Sequence, residues 1–221
     1  MVKIWSDDNP KAALMSRKRT MIVDAALRAF LENGYAESSV NRIAAEAGVS
    51  IKTLYRHFEN KDDLFSAVMQ AACSTSGANP VSASGATETD EPDWFNQPPP
   101  IALPIAGREY LRHALSEKQL ALYRVVTRDA PRFPELARRY REEVTGTRDA
   151  LFISYLDRWL PVTGWKVRDN RGAAATFAAL LKATLFDDAL FGVKSPSEEE
   201  IVECADDAAV QILALIEAGQ L

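Results

Sequence analysis

The densest set of chemically capable side chains in this 221-residue sequence lies between positions 51 and 57. Lys52 and Arg56 carry positive charge, Thr53 and Tyr55 carry hydroxyls, His57 carries an imidazole, and Ile51 adds an apolar contact. Cations meet phosphate oxygens, while hydroxyl, guanidinium and imidazole groups reach base edges. Such a set on one short helix is equipment for lying in a DNA major groove. The means for catalysis are thinner. The two histidines and two cysteines, Cys73 and Cys204, show no ligand spacing, so neither a metal site nor a disulfide framework is expected. No nucleophile-elbow, zinc-protease or phosphate-loop motif occurs. Asp187-Asp188 and Asp206-Asp207 are adjacent pairs, and helix neighbours point about 100° apart, so neither forms a shared acid/base site. The expectation is a protein that is not an enzyme and needs no cofactor.

Charge at first argues against nucleic acid, because the net value is −5. Residues 1–72, however, hold ten Lys and Arg against nine Asp and Glu, and the remainder holds sixteen against twenty-two. The acid sits in the second part, and a local basic patch is what phosphate binding requires. No run of about 18 apolar residues is present, so no membrane span is expected. The first twenty residues lack the apolar core of a signal peptide, which makes the cytoplasm the expected compartment.

Apolar residues recur at spacings of three and four, which predicts an all-α fold. Ser16 is a candidate cap for a first helix that stops at Asn33-Gly34, and Ser39 for a second over 40–47, ended by Gly48. Ser50 caps a third over 51–57, and Asn60 with Asp63 starts a fourth. Residues 73–104 form a Ser- and Pro-rich junction, in which Trp94-Phe95 can pin the segment to a neighbouring surface. Helices resume over 105–115, from the Ser116–Gln119 capping box to about 130, over 135–159, over 170–191, and from the Ser197–Glu200 capping box to 218. The expected domains are 16–72, the junction 73–104, and a helical domain over 105–221.

Within the first domain two short helices are separated by Ala47-Gly48-Val49-Ser50, the turn of a helix-turn-helix. Such a turn also occurs in helical hairpins that bind no DNA, where Tyr55, His57 and Phe58 merely pack. A helical enzyme or a partner-binding protein are the rival classes. From residue 17 to about 72 the chain resembles the TetR (tetracycline repressor) family of bacterial regulators. The resemblance is carried by residues 22–30, Asn33-Gly34-Tyr35, Ser39, Ile43-Ala44, Ala47-Gly48-Val49-Ser50, Thr53-Leu54-Tyr55-Arg56-His57-Phe58 and Asn60-Lys61-Asp62-Asp63-Leu64. It implies that Ser39 and Asn41 touch phosphate or a base edge, and that Lys52, Thr53, Tyr55 and His57 make recognition-helix contacts. Ile51 and Arg56 fall at positions that vary with the operator, and Lys61 matches a phosphate contact.

The resemblance further implies a C-terminal domain that dimerises and binds a small-molecule effector, releasing the protein from operator DNA. The residues independently favour a homodimer: 172–191 and 197–218 are apolar around much of their circumference and must bury two faces, one in their own core and one against a second copy. The alternative is a fully internal helix pair in a monomer. Tyr123, Phe152, Tyr155, Trp159 and Phe177 are candidate cavity residues, with His113 as a polar group to orient a ligand, although aromatics at helical spacing also serve as plain core. The fourth helix, joining the reading head to the junction, is the expected lever between the two sites.

Overall fold

A computed structural model describes residues 10–74, 91–183 and 185–221, which are helical with no strand. Residues 1–9 and 75–90, half of the expected junction, lie outside the described residues, as do Thr184 and the side chains of residues 10–12, 73 and 74. No helix among the described residues is long and apolar enough to cross a membrane. The chain divides into two compact units.

The first unit holds α1 (Pro10–Glu37), α2 (Val40–Glu46), α3 (Ile51–His57) and α4 (Lys61–Ser74). Ser16 does not cap α1, which already begins at Pro10. The stop at Gly34 is a break in the helix, with φ +80° and ψ 176°. Ser39 occupies the cap position of α2 without a side-chain bond to the helix. Ser50 caps α3 by accepting the Thr53 N–H at 3.1 Å. The Asn60 side chain accepts the Asp63 N–H at 2.8 Å, and the Asp63 carboxylate accepts the Glu59 N–H at 3.1 Å. Gly48, at φ +66°, supplies the left-handed turn after which the Val49 N–H reaches the Ala44 carbonyl at 3.0 Å. Ile22, Phe30, Ile43, Leu54, Phe58, Leu64, Phe65 and Met69 are fully buried between these helices. Each such side chain contributes about 1.5–3 kcal/mol.

Residues 122–143 pack with this same unit. They comprise most of α6 (Glu117–Asp129) and all of α7 (Pro134–Tyr140). The physical reason lies at Gly34. Breaking α1 there leaves the Tyr35 and Ala36 N–H groups without helical acceptors, and buried donors must be answered. Buried Asp129 answers both, at 2.6 and 3.3 Å. Arg128 holds Asp129 at 3.1 Å, and a Cβ on residue 34 would lie 1.1 Å from the Arg128 Nη2. Phe133 sets its ring edge on Tyr35 at 5.3 Å, Arg139 donates to the Ser66 hydroxyl, and Gln70 donates to Glu143 at 2.6 Å.

The second unit contains a 3-10 turn (Asp93–Asn96), α5 (Pro99–Ala114), α8 (Thr147–Thr163), α9 (Asn170–Lys182), α10 (Phe186–Phe191) and α11 (Glu198–Glu217). Helix α5 starts at Pro99, ahead of the expected 105. Proline at a first turn has no helical N–H to lose, and Pro104, one turn in, forfeits a single bond. Helix α8 runs past Pro161 to a left-handed Gly164, whose N–H reaches the Leu160 carbonyl at 3.0 Å. A π turn, Arg141–Gly146, joins α7 to α8 within the expected long helix. Asp169, one residue before the expected Asn170, caps α9. The expected helix through 191 is two helices, because the Ala183 N–H tightens onto the Leu180 carbonyl and ends α9. The Ser197–Glu200 capping box of α11 forms with both bonds, 3.2 and 3.0 Å. Trp94 and Phe95 do pin their segment, packing edge-on against fully buried Tyr155 at 5.5 and 5.7 Å.

Candidate nucleic-acid interface and ligand cavity

The turn between α2 and α3 seats Leu54 and Phe58 in the core, and this orientation decides what α3 shows outside. Ile51, Lys52, Tyr55 and Arg56 are exposed, as are Ser39 and Asn41 at the start of α2. Tyr55 is 52% exposed although it is a large aromatic, and a folded core gives no reason to leave it there. Thr53 is half-buried, its hydroxyl 2.9 Å from that of Ser50. His57 is also half-buried, beside the Phe58 ring, and its Nε2 has no hydrogen-bond partner among the described residues. Burial, and then the charges of Arg56, Arg19 and Lys18, hold its pKa below the ordinary value, so the imidazole is neutral at pH 7.

Those last two cations stand beside the end of α3 without having been singled out in the sequence. Arg19 lies over the Phe58 ring at 4.6 Å, which brings positive charge from α1 to the end of α3. The run Arg17-Lys18-Arg19 was the available signal.

Lys61 stands apart from the other site residues. Its ammonium donates to the carbonyls of Tyr35 and, at 3.4 Å, Ala36, and lies 4.4 Å from the Tyr35 ring centre. Burial lowers its pKa, against the pull of Asp129, Asp62 and Glu37. Here Lys61 clamps the end of α1 and does not project outward.

In the second unit a cavity of about 70 Å³, measured to the centres of water-sized molecules, opens between α5, α8 and α9. That is room for several waters. Three of the sequence candidates line it: His113, Phe152 and Phe177. The two rings stack at 5.1 Å. Tyr155 and Trp159 are core residues instead, donating to the carbonyls of Gln97 at 2.9 Å and Phe95 at 3.3 Å. Tyr123 falls in the other unit, against Tyr140 at 5.7 Å. Trp94, Glu109, Tyr110, Arg148, Asp149 and Leu181 complete much of the wall. Arg148 is the residue sequence reading missed, because nothing in its neighbours' types marks a helix position as facing a void. Among the described residues no cluster of His, Cys, Asp or Glu is arranged to hold a metal.

Comparison with known proteins agrees with this arrangement. Residues 22–68 match the family model for bacterial regulatory proteins of the tetR family. Residues 102–215, more than half the chain, match that for the C-terminal domain of AefR-like transcriptional repressors. The fatty acid metabolism regulator protein of Bacillus subtilis is 47% identical over 47 residues, which is 21% of this chain and 24% of that protein. A helix-turn-helix-type transcriptional repressor of Mycobacterium tuberculosis is 28% identical over 137 residues, 59% of this chain and 73% of the other. Among solved structures, a TetR-family regulator from Mesorhizobium loti superposes with a TM-score of 0.70 at 25% identity, covering 91% of this chain and 97% of that one. The flavonoid-responsive regulator FrrA gives 0.71 at 26%, covering 90% and 96%. The exposed recognition helix and the matches over both halves have one meaning: this chain belongs to the TetR family of bacterial transcriptional regulators, DNA-binding helix-turn-helix proteins, with an AefR-like C-terminal domain.

Proposed function

We propose that the chain is a homodimeric repressor that reads an inverted-repeat operator and releases it on binding a small molecule. The observation that carries the DNA reading is the outward face of α3. Lys52, Tyr55 and Arg56 stand exposed on a helix whose other side is locked in the core by Leu54. Ser39, Asn41 and Ile51 extend that face, while Thr53 and His57 border it. Lys61 matches a phosphate contact, and making one requires its ammonium to leave the Tyr35 and Ala36 carbonyls.

Exposed apolar groups in the second unit support the dimer. Phe191, Val193 and Val210 are each at least two-thirds exposed. Surface apolar groups of this size favour a partner surface. The outward side of α11 is mixed, with Glu203, Asp207 and Gln211 beside Val210, and Ile212 points into the core.

The cavity of the second unit is the place for the effector. Helix α6 supplies a covalent route between the sites: it begins four residues after the cavity's His113 and ends at Asp129, which holds the backbone of Tyr35 and Ala36. This route adds to the lever expected of α4. A ligand acts through it only by binding one arrangement of the head more tightly than another. Selection of bound sequences from random DNA tests the reading. An imperfect inverted repeat is expected, because a two-fold protein presents two identical heads. A pool that shows no enrichment overturns it.

A further inference from the structure

The polar groups of the cavity wall are unevenly supplied with partners. Glu109 accepts the Trp94 Nε1–H at 2.7 Å, and Asp149 is likewise engaged. His113 is only 7% exposed, and its Nδ1 has no hydrogen-bond partner among the described residues; neither has the buried Nε of Arg148. The Arg148 guanidinium lies 4.8 Å from the Tyr110 ring centre and forms no ion pair among the described residues. Lys182, one residue beyond the lining Leu181, adds a second charge. Burial, and then the field of Arg148, lowers its pKa to about 8, while Asp149 pulls the other way. A guanidinium and an imidazole on the cavity wall, each with an unanswered nitrogen, and a lysine outside the wall whose charge interacts with Arg148 describe a receptor for an anion. The other walls are the stacked rings of Phe152 and Phe177 with Leu151 and Leu181.

We propose that this cavity takes an amphipathic monocarboxylate, its carboxylate received by Arg148 and the imidazole of His113 near the charge of Lys182, its apolar body lying against Phe152, Phe177 and Leu181. The inference rests on the reading of this cavity as the effector site. The charge of the ligand follows from both kinds of wall group. A cationic ligand would meet Arg148 and Lys182 and find only carboxylates already engaged. A phosphate dianion would meet about twice the repulsion from Glu109 and Asp149 that a single carboxylate meets. A single negative charge on a small planar head matches a guanidinium and one imidazole N–H.

The test uses full-length protein and two matched series: 3-phenylpropionate, 3-phenylpropan-1-ol and 3-phenylpropylamine, then octanoate, octan-1-ol and octylamine. Binding is followed by calorimetry and thermal shift. The expected result is that at least one acid binds about tenfold or more tightly than its alcohol, and that its amine is the weakest of the three. Arg148→Met should remove the preference for the acid while leaving the alcohol's affinity unchanged. Lys182→Met should weaken the acid by a few-fold, and it serves as the second variant should Arg148→Met fail to fold. The inference is overturned if neither acid binds at millimolar concentration, if alcohol and acid bind equally, or if a folded Arg148→Met retains the preference. Operator titrations separate this from the effector reading. An acid that binds through Arg148 but leaves DNA affinity unchanged keeps the carboxylate site and ends the effector role. An alcohol or amine that releases DNA through a Phe152-dependent site does the reverse.

Discussion

The reading head and the cavity unit treat buried polar groups in opposite ways. In the head the backbone groups around the break at Gly34 are answered by side chains. Asp129 takes the Tyr35 and Ala36 N–H groups, Lys61 takes the carbonyls of the same two residues, and the Ser38 hydroxyl donates to the Ala29 and Gly34 carbonyls. In the cavity unit the Nδ1 of His113 and the Nε of Arg148 are buried and unanswered among the described residues. A head that displays side chains to DNA gains from a rigid scaffold, whereas a receptor for small molecules keeps donors in reserve. The head's exception, His57 Nε2, sits on the DNA-facing helix itself.

The largest effect expected tests whether the cavity unit also works through an outside surface. Ile212 is fully buried and Val210 is 67% exposed, two residues apart on α11. Ile212→Glu places a charge in an apolar core at a cost of several kcal/mol, comparable with the whole stability of a domain, and should abolish the cooperative melt. Val210→Glu should leave the helical signal and the melt intact while weakening dimerisation by roughly 30-fold, about 2 kcal/mol, if it sits at the centre of the partner surface. Sedimentation decides: a Val210→Glu protein that sediments like the parent moves the partner surface elsewhere.

Next in size is the wiring of the head. Asp129→Ala strips the acceptor from two N–H groups, one of them on buried Tyr35, and should cost about 2–3 kcal/mol. Denaturant unfolding measures this, and operator affinity should fall with it because the end of α1 supports α2 and α4. By contrast His113→Leu, which removes a buried unanswered nitrogen, should be close to neutral. Equal losses in the two variants would erase the contrast between the regions.

Much of the head was legible in the sequence because its determinants are local. The turn at Gly48, the cap at Ser50 and the outward set on α3 lie within a dozen residues and follow from helical periodicity. The Ser197–Glu200 box was legible for the same reason. What bound Asp129 to Tyr35 was not, since the two are 94 residues apart and nothing near Asp129 distinguishes it from a solvated helix end. The expected bounds at 105 and 159 stop short of the helices, which run through Pro104, five residues into α5, and through Pro161, two residues from the end of α8. The cavity was half legible. Aromatics announced a core, but only packing could separate Phe152 and Phe177, which border space, from Tyr155 and Trp159, which fill it.

A smaller effect sharpens what the head shows to DNA. Lys52 is exposed, so Lys52→Ala should lower affinity for specific and unrelated DNA alike and flatten the salt dependence by about one unit. Lys61 is tied to carbonyls, so Lys61→Ala should lower stability by about 1 kcal/mol. Its salt slope then separates the two roles. An unchanged slope leaves Lys61 as a clamp, and a slope flattened like that of Lys52→Ala shows that its ammonium swings out to a phosphate on binding.

The smallest effect uses the two histidines as reporters, one in each region. Burial is the leading cause of the depressed pKa in both, helped by Arg56, Arg19 and Lys18 at His57 and by Arg148 and Lys118 at His113. In the unfolded chain each returns to its ordinary value of 6.5. The folded protein therefore binds fewer protons than the unfolded one just below that pH, and the slope of stability against pH is positive there. The stability held by neutral His57 and His113 is fully present above pH 6.5 and is lost as pH falls through their lower folded values. Melting points taken between pH 7.5 and 5.5 should decline in the parent and decline less in His113→Leu and in His57→Asn. Operator DNA should blunt the share belonging to His57 alone, because phosphates stabilise an imidazolium on the DNA-facing helix and leave His113 untouched. Should both variants keep the parent's full decline, the protons are bound elsewhere and the imidazoles are not the buried neutral groups their surroundings require.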